Sequence, residues 1–243
     1  MTIKAFLLAT LLPTYAFAGT CGNLTPDAQR SLEKAKTYYE KNKSFIEQSR
    51  YMRGSGDTGK KIVINDYCGK PAKMFVFDSQ TGQCQQEMEV GFGNGAGGKL
   101  EPGCGPEEHL TPPGFHITTE AAGGSKYPYP EGIGMVSCEG QTSLKRGIKI
   151  HAAANPPTGE NGSSWGCSTL SKDDYEYFKK EVRGGSLVYN AFCEDQEKNA
   201  KGCERPAGVD EATCTPEQGE GGGGSSSGGG KSGGASGGTK QTR

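Results

Sequence analysis

Residues 163–170, with the sequence SSWGCSTL, combine residue types that suit nucleophilic chemistry. A cysteine nucleophile reacts as its thiolate, whereas a free cysteine has a pKa of about 8.5. A histidine within hydrogen-bond reach can take the thiol proton. His151 precedes Cys167 in the chain, at the end of the strand-like sequence IKI and ahead of three alanines and a long loop. This order places a base where it can reach the loop that carries Cys167.

The three residues before Cys167 fit a catalytic turn. Gly166 allows the backbone to approach a substrate closely, and the amides of Gly166 and Cys167 are placed to face a developing oxyanion. The Ser164 hydroxyl can brace the turn, and Trp165 offers a flat face beside the thiol. The spacing alone leaves one alternative equally open: Cys167 is disulfide-bonded, and Trp165, the chain's single tryptophan, belongs to the core.

The other two histidines have different contexts. His109 lies in the polar sequence PEEHL, which predicts a solvated surface residue. His116 lies in a predicted strand, FHITT, where it either packs or lines a cleft. The glycines of residues 93–98 match GxGxxG, but they lead into KLEPGCGP rather than into a helix, so a nucleotide-binding loop is excluded.

The cysteines and the first residues indicate secretion. Residues 1–18 have a basic start, a short apolar stretch and an Ala-Phe-Ala end, which predicts a cleaved signal peptide and a periplasmic or secreted protein. The residues before Cys21 stand in the wrong order for a lipoprotein signal. In an oxidising compartment most of the nine cysteines should form disulfides. Because nine is odd, at least one thiol is left over.

Composition excludes several classes of partner. The formal net charge is −1, which gives no reason to expect binding to nucleic acid or to an anionic membrane. No later apolar run is long enough for a membrane span. No CxxC pair occurs, which argues against zinc ribbons and thioredoxin-type redox sites, and we expect no metal or cofactor. We expect a monomer.

The elements that position these residues are mostly strands. Residues 25–53 predict a helix with Thr25 as its N-cap, and residues 171–183 predict a second helix capped by Ser171. Period-two, β-rich sequences predict strands at KIVINDY, KMFVFDS, QQEMEVGFG, GIKIHAA and GSLVYNAF. The glycine- and serine-rich residues 215–243 predict a disordered tail. The fold class is therefore mostly β with a few helices, stapled by disulfides.

The combination RGIKIHAAA…GSSWGCSTL…GGSLVYN resembles the catalytic segment of L,D-transpeptidases, which have the YkuD-like β-sandwich fold. It is most similar to the branch called the murein L,D-transpeptidase catalytic domain family. The upstream sequences KMFVFDSQTG and TPPGFHITT are similar to the family's strands and its TPxG turn. The resemblance covers roughly residues 61–190. It divides the chain into residues 1–18 (signal peptide), 19–60 (N-terminal helical segment), 61–214 (catalytic domain) and 215–243 (tail).

The resemblance implies a role for each residue of the motif. Cys167 is the nucleophile, His151 the general base, and the Ala152 carbonyl orients the imidazole. Amides at Trp165, Gly166 and Cys167 stabilise the oxyanion. The implied reaction is acyl transfer on peptidoglycan tetrapeptide stems through a Cys167 thioester, giving 3-3 crosslinks or exchanging and anchoring groups at the stem. The candidate substrate-binding residues are Ser164, Trp165 and His116.

Two departures from the family pattern leave alternatives open. Trp165 replaces a histidine that is typical of the family, and Ser168-Thr169 replaces the usual arginine or asparagine after the cysteine. Lys145, Arg146 and Lys172 are candidates for the missing role in binding the stem carboxylate. Water as acceptor would make the protein an L,D-carboxypeptidase or endopeptidase. A non-catalytic wall-binding protein is the alternative from another class, whereas a papain-like peptidase is disfavoured because histidine precedes cysteine here.

Overall fold

The computed structural model describes only part of the 243 residues. The described residues are 21–22, 24–48, 61–94, 101–104, 109–121, 132–138, 143, 146–155, 157–158, 160, 162–198 and 200. The predicted signal peptide (1–18), the tail (215–243) and Lys145 lie outside them. The predicted boundary between the helical segment and the catalytic domain also lies outside them, as do Cys203 and Cys214.

Two predicted helices are confirmed, and a third short helix follows the last strand. Helix α1 spans Pro26–Gln48, and the end of its predicted range, 49–53, lies outside the described residues. The Thr25 hydroxyl accepts a hydrogen bond from the Ala28 amide at 3.1 Å, as an N-cap does. Helix α2 spans Lys172–Glu181, and Ser171 caps it through the Asp174 amide. Helix α3 is Glu194–Lys198.

The predicted strands are present, with others between them. They are β1 (Lys61–Asp66), β2 (Lys73–Asp78), β3 (Cys84–Glu89), β4 (Phe92–Gly93), β5 (Gly114–Ala121), β6 (Ile133–Ser137), β7 (Lys149–Ala152), β8 (Gly162–Ser164), β9 (Ser168–Leu170) and β10 (Leu187–Ala191). Eight of them form one sheet in the order β3-β2-β1-β10-β5-β6-β7-β9, and β4 pairs with β8. The predicted mostly β fold with few helices is confirmed.

The eight-stranded sheet curls until its two edges nearly meet. Gly91, which follows β3 at one edge, exchanges both backbone hydrogen bonds with Thr169 of β9 at the other edge, at 2.9 and 3.1 Å. Side chains alternate between the two faces of a strand, so each face carries its own apolar core. The inner core includes Val63, Met74, Ile133, Ile150, Leu170 and Val188, and α2 packs on it through Tyr175 and Phe178.

The outer core lies between the sheet and α1. It joins Leu32, Tyr39 and Ile46 of the helix to Ile62, Ile64, Phe75, Phe77 and Leu187 of the strands. Leu32, Tyr39 and Ile46 therefore lie on the buried face of α1. This face covers the middle of the sheet, away from the strand ends that carry Cys167 and His151.

Disulfides staple the fold, as predicted. Cys21 bonds to Cys84 and joins the start of α1 to β3. Cys68 bonds to Cys193 and joins the ends of the neighbouring strands β1 and β10. Cys104 and Cys138 are also disulfide-bonded. Among the cysteines that the structure describes, Cys167 alone is free.

Candidate active site

The turn from β8 to β9 carries Cys167, and its geometry requires glycine at position 166. Gly166 has a φ of +102°, a conformation that residues with a Cβ rarely adopt. A Cβ there would lie 2.7 Å from the Leu110 oxygen and 2.8 Å from Ile148 Cδ1. The Ser164 hydroxyl donates to the Cys167 carbonyl at 2.6 Å and closes the turn. The packed backbone therefore fixes where the cysteine points.

Cys167 is a half-buried free thiol held between backbone groups. Its Sγ donates to the Gly147 carbonyl at 3.9 Å. Burial raises the pKa of the thiol, while the Lys149 amide and the charges of Lys149 and Arg146 act in the opposite direction. Because burial prevails, the resting group is a thiol near neutral pH. It therefore needs a base at the moment of attack.

His151 lies on the strand next to Cys167. Strands β7 and β9 run parallel with Ile150 opposite Ser168 and His151 opposite Thr169. Ile150 and Ser168 point into the buried interior, so His151 and the neighbours of Ser168 face the other side. The register therefore places His151 and Cys167 on one face of the strand pair.

A hydrogen bond to the backbone sets the tautomer of His151. Its Nδ1 lies 2.8 Å from the Ala152 carbonyl oxygen. A carbonyl oxygen only accepts, so Nδ1 carries the hydrogen and Nε2 keeps its lone pair. Burial lowers the pKa of His151 below 6.5, which keeps the ring neutral near pH 7. A neutral imidazole with a lone pair on Nε2 is the form that a general base requires.

An aromatic pair includes Trp165 of the turn that carries Cys167. The rings of His109 and Trp165 stack with centroids 4.5 Å apart and an angle of 7° between their planes. His109 holds a φ of +52°. Trp165 is 59% exposed, and among the described residues it is the one large apolar side chain that is exposed. His109 is half-buried, and its ring packs on the exposed Trp165, a contact that the prediction of a solvated surface residue did not include. No sequence signal pairs two loops that lie so far apart in the chain.

Arg146 supplies positive charge beside the thiol. Its guanidinium donates to the carbonyls of Gly103 at 3.2 Å and Leu110 at 2.9 Å. Its charge favours the Cys167 thiolate. Lys172 is an exposed residue at the first position of α2. Of the described candidates for the missing basic role, Arg146 is the one whose charge acts on Cys167.

Two of the predicted substrate-binding side chains do not fit that role. His116 is completely buried. Its Nδ1 lies 3.0 Å from the Gly114 oxygen and its Nε2 lies 3.1 Å from Ser143 Oγ, so the prediction that it contacts substrate is wrong. The Ser164 side chain is 8% exposed, and its hydroxyl faces the carbonyls of Cys167 and Phe92. Ser164 therefore braces the turn, while Trp165 offers an open surface.

The described residues show no sign of a metal site. They contain no group of three or more His, Cys, Asp or Glu side chains placed to hold a metal ion. Among their helices, none is long and apolar enough to cross a membrane.

The chain resembles solved L,D-transpeptidase structures at low identity. Similar structures include L,D-transpeptidases from Mycobacterium smegmatis (13% identity, TM-score 0.36) and Mycobacterium tuberculosis H37Rv (18%, 0.39). Each match covers 54% of this chain, and 58% and 57% of the other chain, respectively. This chain thus spans less than two thirds of either structure. An L,D-transpeptidase from Stackebrandtia nassauensis is 15% identical with a TM-score of 0.38, over 70% of this chain and 83% of that one.

No protein-family model and no curated protein matches the sequence. The structural matches are partial likenesses of fold. The chemistry must therefore be argued from the residues of the site.

Proposed function

We propose that this protein is a secreted or periplasmic cysteine acyltransferase of the L,D-transpeptidase type, acting on the stem peptides of peptidoglycan. The observation that carries the proposal is the arrangement of Cys167 and His151. A free thiol on a glycine-dependent turn lies one parallel strand away from a histidine whose Nδ1 is bound by the Ala152 carbonyl. These are the parts that acyl transfer by cysteine needs. The SSWGC turn and the upstream histidine are also the motif that resembles the family.

The first half-reaction begins from a neutral pair. Cys167 Sγ attacks the carbonyl carbon of the L,D-peptide bond before the terminal D-Ala of a tetrapeptide stem, while His151 Nε2 takes the thiol proton. The developing oxyanion is stabilised by backbone amides at Trp165, Gly166 and Cys167. When the tetrahedral intermediate collapses, the C–N bond breaks, and the leaving amine takes the proton from His151. The product is a Cys167 thioester and free D-Ala.

The second half-reaction returns the thiol. The side-chain amine of a second stem attacks the thioester carbonyl, and His151 accepts the proton of that amine. The C–S bond breaks, the thiolate is reprotonated, and a 3-3 crosslink forms. Another amine in this step would exchange or anchor a group at the stem, and water would give the carboxypeptidase or endopeptidase reaction.

Positive charge at the site suits a substrate with a carboxylate. Arg146 and Lys149 both act on Cys167, and the stem of a tetrapeptide ends in a carboxylate beside the scissile bond. We assign Arg146 the carboxylate-binding role that the family gives to a residue after the cysteine. The fork of donors in a guanidinium matches a carboxylate, although two carbonyls already hold part of it. Trp165 is the surface on which the stem peptide packs.

The test is mass spectrometry of tetrapeptide muropeptides incubated with the mature protein. Crosslinked dimers that have lost one D-Ala are the expected product, and Cys167→Ala and His151→Ala should each abolish turnover. Cys167→Ser serves as a nearly isosteric control for folding. If tripeptide monomers are the only product, the acyl group is transferred to water and not to an amine. Unchanged muropeptides together with unreactive Cys167 would favour the non-catalytic wall-binding alternative.

A further inference from the structure

A buried polar network lies beneath the Cys167 turn, on the inner side of β9. Its side chains are Asn65, Tyr67, Ser168 and Asn190, with exposed fractions of 0%, 1%, 0% and 0%. The same face of the sheet is otherwise apolar, as Val63 and Val188 show. Polar groups in such a core are costly unless they are paired. Their presence directly behind the nucleophile therefore needs a reason.

The hydrogen bonds of the network fix its orientation. Asn190 Nδ2 donates to the Pro112 carbonyl at 2.7 Å, so its Oδ1 is left to accept. Asn65 Nδ2 donates to that Oδ1 at 2.7 Å and also reaches Ser168 Oγ at 3.4 Å. The Tyr67 hydroxyl lies 2.7 Å from the same Ser168 Oγ. Ser168 is thus bound by Asn65 of β1 and by Tyr67, the residue that follows this strand.

The network crosses the closure of the curled sheet. Strand β9 is a three-residue strand at the edge of the large sheet, whereas β1 lies near the middle. Strand β9 pairs only with β7 and, through an isolated bridge, with Gly91 among the described residues. Because it is so short, few backbone hydrogen bonds hold it in place. The side-chain bonds of Ser168 add a fixed point one residue away from Cys167.

Asn65 Oδ1 is buried and has no hydrogen-bond partner among the described residues. An unsatisfied buried acceptor costs about 1–3 kcal/mol. A polar network that retains such a cost is more consistent with fixing a geometry than with adding stability.

We propose that Ser168, Tyr67 and Asn65 are positioning residues that hold Cys167 from the core side. They keep its sulfur beside the Gly147 carbonyl and the Lys149 amide and aim it at the oxyanion amides and at His151. This inference rests on the proposed role of Cys167 as the nucleophile, and it adds residues outside the motif. None of the three touches the substrate.

Two reactions of Cys167 with small reagents separate positioning from exposure. Iodoacetamide alkylates a thiolate without an oxyanion intermediate, whereas p-nitrophenyl acetate acylates it through one. Both rates depend on the thiolate and on access, so their ratio reports the geometry of the turn. The readout is the modified Cys167 peptide, quantified by mass spectrometry. In Ser168→Ala, we expect the ratio of acylation to alkylation to fall about tenfold, because a displacement of about 1 Å costs up to 100-fold in rate.

Tyr67→Phe removes only a hydroxyl and guards against a variant that fails to fold. Its ratio should fall in the same direction. In the double variant Ser168→Ala/Tyr67→Phe, the ratio should lie within about twofold of the ratio in Ser168→Ala, because the effects of residues in one network are not additive. Thr118→Ala is the matched control: its buried hydroxyl donates to the Val182 carbonyl at 3.0 Å and accepts from the Ser186 amide at 2.9 Å. It should lose stability without a change in the ratio.

The outcomes distinguish this inference from the proposed function. An unchanged ratio in Ser168→Ala and Tyr67→Phe, with wild-type Cys167 acylated, overturns the positioning role and leaves the nucleophile in place. A wild-type Cys167 that is not acylated at all overturns both. Muropeptide turnover gives a second readout, in which kcat falls in the two variants and KM stays unchanged if the residues act by positioning.

Discussion

At the scale of single residues, Gly166 is a position at which the candidate site tolerates little change. Gly166→Ala adds a Cβ at a φ of +102°, 2.7 Å from the Leu110 oxygen. We expect a loss of about 1–3 kcal/mol in the free energy of unfolding from the backbone strain. Turnover should fall about 100-fold, because the turn must move to relieve the contact. Urea unfolding and muropeptide kinetics measure the two effects.

Gly82→Ala is the control for that change. Gly82 has a φ of +69° in the turn between β2 and β3, away from the site. Because the backbone conformation is also left-handed, Gly82→Ala should lower the free energy of unfolding by about 1–2 kcal/mol. Turnover should stay unchanged. Normal turnover in Gly166→Ala would show that the turn can move without harm to the chemistry.

Trp165 tests the substrate surface at the same scale. The ring is 59% exposed and stacks on His109, so its removal exposes little core. Trp165→Ala should raise KM about tenfold and change kcat less than about threefold, while the free energy of unfolding changes by about 0.5 kcal/mol or less. Trp165→Phe keeps an aromatic face and should recover most of the affinity. A fall in kcat at unchanged KM would instead assign the ring to holding the turn.

At the scale of elements, β5 is linked to the segment before β7 by a buried histidine. His116 of β5 binds the Gly114 carbonyl and the Ser143 hydroxyl, and the Ser143 carbonyl accepts from the Ile148 amide. Burial lowers the pKa of His116 to about 4, from 6.5. The unfolded chain therefore binds the His116 proton more readily than the folded protein does.

The sign of the pH dependence follows from that difference. Between pH 6.5 and about 4 the unfolded state binds more protons at this site, so the free energy of unfolding falls as the pH falls. The contribution of His116 is on the order of 3 kcal/mol across this range. His116→Gln should remove it, so the difference between wild type and variant in urea unfolding should depend on pH. A difference that stays constant between pH 7 and pH 4 would contradict the low pKa.

The elements were more predictable than their contacts. Period-two sequences marked β1, β2, β7 and β10, and the caps Thr25 and Ser171 marked the starts of two helices, because these signals are local in the chain. The motif around Cys167 and His151 was visible for the same reason. Two sets of contacts could not be predicted, because they depend on how the sheet curls and closes. They are the stack of His109 on Trp165 and the hydrogen bonds from Asn65 and Tyr67 to Ser168. The sequence left open whether His116 packs or lines a cleft, because a strand pattern does not reveal which face is buried.

At the scale of the whole molecule, two disulfides restrain different lengths of chain. Cys68–Cys193 spans 125 residues and ties the ends of β1 and β10, close to Tyr67 and Asn190. Cys21–Cys84 spans 63 residues and ties the start of α1 to β3. A crosslink stabilises a protein mainly by restricting its unfolded state, and the effect grows slowly with the length of the closed loop.

Two double variants, Cys68→Ala/Cys193→Ala and Cys21→Ala/Cys84→Ala, test this dependence on loop length. Both replace one disulfide by two alanines. Each should lose about 2–5 kcal/mol in the free energy of unfolding. The loss should be about 0.6 kcal/mol larger for the longer loop, since each doubling of loop length adds that much. Urea unfolding of both variants under non-reducing conditions measures the difference. A larger loss for Cys21→Ala/Cys84→Ala would mean that the docking of α1, rather than the entropy of the unfolded chain, determines what these crosslinks contribute.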